Sequence, residues 1–253
     1  MAESVLVTGG ADSVGRVIAE RCLARGDKVH ICDVRREALD ETLAANPGMT
    51  GTVADVGSHD AVQRVFEDAA AAIGDVTVLV NNVGVAGPRA AIEDIALEDW
   101  EDCLRINLSG MFFCIQRAIP MMKRRGGGAI VNFSTGSTRT RLPNRLPYVV
   151  SKFGVEGLTL NAARELGPFG IRCNAILPGM INNARMRGIV AARARESGRT
   201  VAEVEADYLR HISMHVQIEP SELADMALFL CSAAGRKITG ELIAVSGNLE
   251  WEE

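Results

Sequence analysis

The sequence predicts an α/β fold, a single Rossmann-type doubly wound parallel sheet of about seven strands with helices on both faces. Two observations predict it. Short runs rich in β-branched residues alternate with longer helical patterns, as in repeated β-α-β units. In addition, no proline- or serine-rich linker and no internal repeat divides the chain, so we expect one domain over residues 1–253.

The elements follow one another in a regular order. Four short apolar runs, each followed by a helical pattern, are Val5–Val7 then Ile18–Leu23, Val29–Ile31 then Leu39–Leu43, Thr52–Val53 then Val62–Phe66, and Val78–Val80 then a long helix. The later elements are a strand at Ile130–Phe133, a helix at Tyr148–Leu166, a strand at Ile171–Ile176, a helix at Ser221–Leu230 and a strand at Leu242–Val245.

One segment, at about 183–212, interrupts this alternation because it is polar, rich in arginine and alanine, and lacks a strand. A small helical flap over a substrate site would have this character, and so would an ordinary surface excursion. We expect the flap.

Composition excludes several classes of protein. The net charge is −5 and the longest basic run, Lys123–Arg125, has only three residues, so we expect no nucleic-acid partner. The six cysteines form no CxxC pair and lie in apolar stretches, which favours reduced core thiols and a cytoplasmic location. We expect no membrane segment and no metal site, since His211 and His215, predicted to share a helical face, lack acidic or cysteine partners.

A glycine-containing turn, Thr8–Gly15, follows the first strand and precedes an amphipathic helix. Glycines let the backbone approach a pyrophosphate, and a helix N-terminus offers free N–H groups and the positive end of the helix dipole. The turn therefore fits a dinucleotide, although a strand-to-helix connection also uses glycine simply for its positive φ angle.

Carboxylates end the next two strands. Asp33 can accept hydrogen bonds from the adenosine ribose and repel a 2′-phosphate, which favours NAD over NADP. Arg35 and Arg36 leave NADP open, because a nearby arginine can pair with that phosphate. Asp55 either contacts the adenine or caps the helix that starts near Ser58.

With these residues in place, the chain resembles the short-chain dehydrogenase/reductase superfamily over almost its whole length. Its motifs occur in the family's order and are Thr8–Gly15 for TGxxxGxG, Asn81–Gly84 for NNAG, Asn107 in the long helix, Tyr148 and Lys152 for YxxxK, and Pro178–Gly179 for the turn after the sixth strand. The resemblance implies a homotetramer built through long helices and the last strand, for which apolar Phe112, Phe113, Leu158 and Leu160 are suitable.

The resemblance also implies site residues. The catalytic group is Asn107, Thr135, Tyr148 and Lys152, with Asn107 positioning a water and Thr135 holding the substrate oxygen. The residues expected to contact NAD are Gly9, Ser13, Val14, Gly15, Asp33, Asp55, Val56, Asn82, Gly84, Tyr148, Lys152, Pro178, Gly179, Ile181 and Asn183.

Two departures from the family pattern concern the coenzyme. Ser13 stands where the family has its middle glycine, so its hydroxyl either contacts a phosphate or crowds it. Asn183 stands where the family has threonine and reaches the nicotinamide carboxamide differently. A third departure concerns the hydroxyl residue that the family has 13 positions before its tyrosine. Here this residue is Thr135, and Ser134 stands just before it.

The expected reaction is hydride transfer between an alcohol and NAD, or from NADH to a carbonyl. Tyr148 and Lys152 lie four residues apart on one helix face, so a nearby ammonium stabilises the phenolate that takes the alcohol's proton. The alternative is a catalytically silent dinucleotide-binding subunit, because a fold alone does not fix a function.

Arginines on both sides of the expected pocket suggest an anionic small-molecule substrate, such as a carboxylate, phosphate or sulfonate. Arg145 and Arg185 are the first candidates and Ser134 is a further substrate contact. Solvated helix faces explain the same arginines equally well. The tail, residues 249–253, either closes over a neighbouring pocket or frays.

Overall fold

The computed structural model describes residues 2–250, so Trp251 and the two residues after it in the predicted tail lie outside the described chain. The strands are β1 (Ser4–Thr8), β2 (Lys28–Asp33), β3 (Thr50–Val53), β4 (Val78–Asn81), β5 (Gly128–Phe133), β6 (Ile171–Pro178) and β7 (Leu242–Val245). All pair in parallel in the order β3-β2-β1-β4-β5-β6-β7. The predicted doubly wound sheet is confirmed.

Helices connect the strands. They are α1 (Ser13–Ala24), α2 (Arg36–Ala45), α3 (His59–Ile73), α4 (Leu97–Leu104), α5 (Gly110–Arg124), the single turn α6 (Ser137–Thr140), α7 (Leu146–Leu166), α8 (Ala184–Ser197), α9 (Val201–Leu209) and α10 (Pro220–Cys231). The predicted long helix before β5 is divided, because a π-helical segment at Arg105–Ser109 separates α4 from α5.

Two apolar layers cover the faces of the sheet. One face packs against α1, α2 and α10 around residues such as Ile18 and Leu223, and the other packs against α3, α5 and α7 around Phe66 and Met122. Side chains alternate between the faces of each strand, so neighbours such as Val5 and Leu6 enter opposite layers. Burial on both faces explains why the strands are continuous apolar runs.

The segment predicted as a flap consists of α8 and α9, which have a small core of their own. Val190, Ala194, Val204 and Ile212 are buried in it together with Met180. The chain near the C-terminus closes this core, since Leu249 packs against it and pairs with Ile212.

The expected helical face for His211 and His215 is wrong, because α9 ends at Leu209 and both histidines lie in the turns that follow. His215 has a positive φ of 51°, which a helix excludes. Within residues 2–250, His, Cys, Asp and Glu side chains nowhere cluster in threes able to hold a metal ion. No helix in the same range has both the length and the apolar composition that a membrane crossing requires.

Candidate active site

A cavity of about 550 Å³ opens at the carboxyl ends of the strands. In a doubly wound sheet this edge, near the point where the strand order reverses, is where ligands bind. All but three of the predicted site residues line the cavity; the three are Gly15, Asn107 and Arg145.

The turn after β1 is shaped by the absence of side chains. A Cβ on Gly15 would stand 2.1 Å from the carbonyl oxygen of Gly9, so Gly15 lies beneath the turn and permits its tight packing. Gly9 has a φ of 62°, and a Cβ there would stand 3.0 Å from Asn82 and 3.2 Å from Val83, which follow the neighbouring strand β4. Because the first N–H groups of α1 have no acceptor within the helix, the cradle suits a pyrophosphate.

Ser13 has the unusual backbone of this turn. Its φ is 48°, a left-handed conformation that costs a non-glycine residue about 1 kcal/mol or more. Its Oγ accepts a hydrogen bond of 3.1 Å from Nδ2 of Asn183, the N-cap residue of α8. The two departures from the family pattern that concern the coenzyme are thus in direct contact.

The end of the cavity next to β2 is negatively charged. Asp33 is buried, and one of its carboxylate oxygens accepts a hydrogen bond from the backbone N–H of Arg35 at 3.0 Å. The Arg35 guanidinium lies 3.4 Å from Asp33 and 3.2 Å from Asp12. Two carboxylates therefore hold Arg35, one of the two arginines that could pair with a 2′-phosphate, and the other, Arg36, lies 3.7 Å from Asp40.

Asp55 does not cap α3, because Ser58 takes that position and accepts the N–H of Ala61. Instead Asp55 accepts a hydrogen bond of 2.7 Å from Arg105 and another from the Gly57 N–H. Its side chain still borders the cavity, and Val56 beside it is buried in the cavity wall.

Tyr148 and Lys152 lie one turn apart on α7 and both line the cavity, where Tyr148 is half-buried and Lys152 is buried. The Lys152 Nζ donates a hydrogen bond of 2.7 Å to the Phe133 carbonyl at the end of β5. Burial, and to a smaller extent the positive charge of Arg185, lower the pKa of Lys152 from 10.5 to about 7. A Cβ on Gly84 would stand 3.1 Å from the same Nζ, so this glycine keeps the amino group open to the cavity.

The hydroxyl groups that follow β5 differ in direction. Ser134 donates to the buried carboxylate of Glu156 at 2.9 Å, which commits its hydroxyl to α7. Thr135 interacts locally with Ser137, accepting its backbone N–H at 3.2 Å. Thr135 also donates to the Ser137 hydroxyl at 3.3 Å. Both residues border the cavity, and Ser134 as a substrate contact remains a prediction.

Asn107 lies in the π-helical segment and is completely buried. Its amide holds the backbone of Val85, accepting the N–H at 2.7 Å and donating to the carbonyl at 3.0 Å. It also donates to the Ser151 hydroxyl at 3.0 Å. The side chain thus fixes the segment after β4, and a water held by Asn107 remains a prediction.

Arginines without carboxylate partners lie near Tyr148, and Arg185 among them lines the cavity. Arg185 donates to the Gly84 carbonyl at 3.0 Å, and Arg145 donates to the Ala86 carbonyl at 2.9 Å and lies 5.5 Å from the Tyr148 ring centroid. Burial lowers the pKa of Arg145, and the positive charges of Arg185 and Arg89 lower it further. Among residues 2–250, none of these three arginines is in an ion pair.

Sequence reasoning did not assign part of the cavity wall to the site. These residues are Asp12, Val34, Arg35, Ala54, Val83, Val85, Ile106, Phe133 and Ala184. Several of them come within two residues of a strand's carboxyl end, so the rule that sites form at this edge could have found them. Asp12 had a further signal, since the neighbouring strands β1 and β2 bring it near Asp33.

Comparison with known proteins assigns the family. The family model described as enoyl-(acyl carrier protein) reductase matches residues 9–249. A probable galactose dehydrogenase from Rhizobium meliloti is 35% identical over 97% of this chain and 94% of the relative. The chain is a short-chain dehydrogenase/reductase.

Other short-chain dehydrogenases/reductases resemble this one over comparable lengths. The D-xylose 1-dehydrogenase of Caulobacter vibrioides is 34% identical over 93% of this chain and 91% of the relative. A solved NAD⁺-bound xylitol dehydrogenase superposes with a TM-score of 0.91 at 26% identity, covering 97% of this chain and 98% of that one. An actinorhodin polyketide ketoreductase with NADPH gives 0.92 at 28% identity, covering 98% and 99%. This protein is therefore an NAD(P)-dependent oxidoreductase.

Proposed function

We propose that this protein is an NAD-dependent alcohol dehydrogenase or carbonyl reductase in which Tyr148 is the general acid and base. The observation that carries the proposal is that Tyr148, Lys152 and Thr135 line the same cavity as the phosphate turn and Asp33. A reacting alcohol and a dinucleotide would share this space. The oxidoreductases that match the chain support the reaction type.

Each side chain has a distinct task in the proposed reaction. NAD supplies the hydride acceptor when bound, and NADH supplies the donor. Tyr148 takes the proton of the alcohol hydroxyl, or returns it to a carbonyl, and Thr135 holds the same oxygen by a hydrogen bond. Lys152 places positive charge near the phenol in its protonated form, and its amino group would also hold the nicotinamide ribose.

The adenosine end supports NAD over NADP. Asp33 would accept hydrogen bonds from the ribose hydroxyls, whereas a 2′-phosphate would meet the negative charges of Asp33 and Asp12. Of the two residues that left NADP open, Arg35 is already paired with both carboxylates and Arg36 pairs with Asp40. The relatives do not decide the matter, since solved structures of this shape hold NAD⁺ in one case and NADPH in another.

The arginines near Tyr148 support an anionic substrate. Arg185 lines the cavity, Arg145 lies 5.5 Å from the Tyr148 ring centroid, and Arg89 adds a third positive charge near Arg145. The Nε of Arg145 is buried and has no hydrogen-bond partner among residues 2–250. A carboxylate, phosphate or sulfonate in the cavity would supply the missing negative charge, and Arg185, which lines the cavity, would donate to it directly.

The alternative, a silent dinucleotide-binding subunit, explains the charges less well. A buried lysine beside the cavity is costly to a fold, and although it would hold the nicotinamide ribose in either case, only an enzyme also needs its charge near a reactive phenol. The phenol of Tyr148 is also open to the cavity, where a substrate oxygen can reach it.

We extend the proposal to assembly, location and domain organisation. Phe112 on α5 and Leu160 on α7 are 45% and 47% exposed, as an interface between subunits of a homotetramer would need, whereas Phe113 and Leu158 pack against the core. Five of the six cysteines are buried free thiols, in keeping with the reducing cytoplasm. The chain forms one domain with the flap at about 183–212. Light scattering measures the assembly, and cell fractionation measures the location.

The proposed function is tested with wild type and Tyr148→Phe side by side. We expect Tyr148→Phe to lower kcat by about 10²- to 10⁴-fold and to bind NADH as wild type does. Tyr208→Phe is the matched control, because Tyr208 is the other tyrosine and packs in the flap core. Substrates are screened as neutral sugars and their carboxylate or phosphate counterparts. Dehydrogenase activity that survives in Tyr148→Phe would refute the assignment, and binding without turnover of any substrate would favour the silent subunit.

A further inference from the structure

The contact between Ser13 and Asn183 joins two parts of the molecule that lie 170 residues apart in the chain. Ser13 is the first residue of α1 in the phosphate turn, and Asn183 is the N-cap residue of the flap helix α8. Both residues line the coenzyme cavity. The hydrogen bond between them therefore joins the phosphate turn to the start of the flap at the cavity wall.

Each partner retains one hydrogen-bond donor. Ser13 Oγ accepts from Asn183, which leaves its own hydroxyl hydrogen to donate. Asn183 uses Oδ1 to cap the N–H of Met186 at 2.9 Å and uses one hydrogen of Nδ2 for Ser13, so the second Nδ2 hydrogen remains. Two donors in contact with each other suit the oxygen atoms of a pyrophosphate.

The same pair is connected to the reaction end of the cavity through α8. Asn183 caps this helix, and Arg185 in its first turn reaches the Gly84 carbonyl beside Lys152. A change at Ser13 can therefore displace the start of α8, and with it Arg185. Ser13 has a strained φ of 48°, which glycine would adopt without cost, yet the chain has serine at this position.

We propose that Ser13 and Asn183 form a clasp that helps to hold the coenzyme pyrophosphate and couples coenzyme binding to the position of α8. They are positioning residues for the reaction, and the clasp replaces a glycine and a threonine of the family pattern by a bonded pair. This inference rests on the proposed function, because it needs a dinucleotide in the cavity.

The first test is a double-mutant cycle on NADH dissociation constants, measured by nicotinamide fluorescence. Ser13→Gly removes the hydroxyl and the strain, while Asn183→Thr removes Nδ2 and keeps an oxygen to cap α8. We expect each single variant to bind NADH about five- to tenfold more weakly, as for the loss of one good hydrogen bond. The double variant should bind NADH at most about twofold more weakly than either single variant, because the pair acts as a unit.

Melting temperature separates this role from a structural one. Glycine relieves the left-handed strain, so Ser13→Gly should melt at the wild-type temperature or above it although it binds NADH more weakly. Asn144→Gly is the matched control, since Asn144 has a φ of 58° and lies outside the cavity. It should gain thermal stability in the same way and leave NADH affinity unchanged.

Hydrogen exchange of peptides covering α8 tests the coupling. We expect NADH to slow hydrogen exchange in residues 184–197 of the wild-type protein. In Ser13→Gly most of this protection should be absent even at saturating coenzyme. Multiplicative losses in the double variant, or full NADH-dependent protection in Ser13→Gly, would overturn the clasp alone. Failure of wild type to bind any dinucleotide would overturn the clasp and the proposed function together.

Discussion

Asp12 and Asp33 hold one guanidinium, that of Arg35, at the carboxyl ends of the neighbouring strands β1 and β2. The distances are 3.2 Å from Asp12 and 3.4 Å from Asp33. Asp12 and Arg35 are exposed, so this pairing adds little to stability in water. Its consequence is instead for the coenzyme, because an arginine engaged by two carboxylates is less available to a phosphate.

Coenzyme preference should therefore respond to Asp12. We expect Asp12→Ala to bind NADPH about tenfold more tightly than wild type, because it releases Arg35 and removes a negative charge near the 2′-phosphate. NADH affinity should change by less than about twofold. Titration of both coenzymes measures the effect. Asp40→Ala is the control, since Asp40 pairs with Arg36 outside the cavity. An unchanged NADPH affinity in Asp12→Ala would contradict this explanation.

Substrate charge should be recognised at the other end of the cavity. We expect Arg185→Met and Arg145→Met each to raise KM for an anionic substrate by about ten- to a hundredfold, since hydrogen bonds to charged groups are the strong ones. The KM of a neutral substrate of similar shape should hardly change. Steady-state kinetics with the two substrates measure the difference.

Arg187→Met provides the control for that experiment. Arg187 is exposed on the same helix as Arg185, but it contacts Asn182 and does not line the cavity. Its kinetics should match wild type with both substrates. Equal effects of Arg185→Met on anionic and neutral substrates would show that this arginine positions α8 and does not read substrate charge.

The arrangement of the sheet could be predicted from sequence because local signals agree with it. Apolar runs are long where both faces of a strand are buried, and turns occur where strands end at Thr8 and Asp33. The division of the long helix could not be predicted. The π-helical turn at Arg105–Ser109 contains Asn107, whose hydrogen bond to Val85 is a tertiary contact between residues 22 positions apart that local sequence does not reveal.

The same distinction holds for the site. Tyr148 and Lys152 are four residues apart on one helix, so their shared face follows from helical geometry alone. The partners of Ser134 and Ser13 do not follow from spacing, because Glu156 and Asn183 meet them only through the packing of α7 and α8. Motifs identify which residues carry the chemistry, whereas the direction of each side chain is a property of the folded chain.

The buried lysine should make the stability of the protein depend on pH. Its pKa in the folded protein is about 7, below the ordinary value of 10.5, so between these two values the unfolded chain binds more protons than the folded one. The free energy of unfolding therefore rises with pH through this window on account of Lys152. Below about pH 7 the lysine is protonated in both states, and the folded state bears the full cost of burying its charge.

Lys152→Met removes that cost, so we expect the variant to be more stable than wild type at pH 6 and to lose this advantage as the pH approaches 10. The two pKa values set an upper bound of about 5 kcal/mol on the change, at about 1.4 kcal/mol for each pH unit. Urea unfolding at several pH values measures it. Lys237→Met, at an exposed position, should track wild type throughout. A stability difference between Lys152→Met and wild type that is the same at pH 6 and pH 10 would mean that the lysine keeps its ordinary pKa in the folded protein.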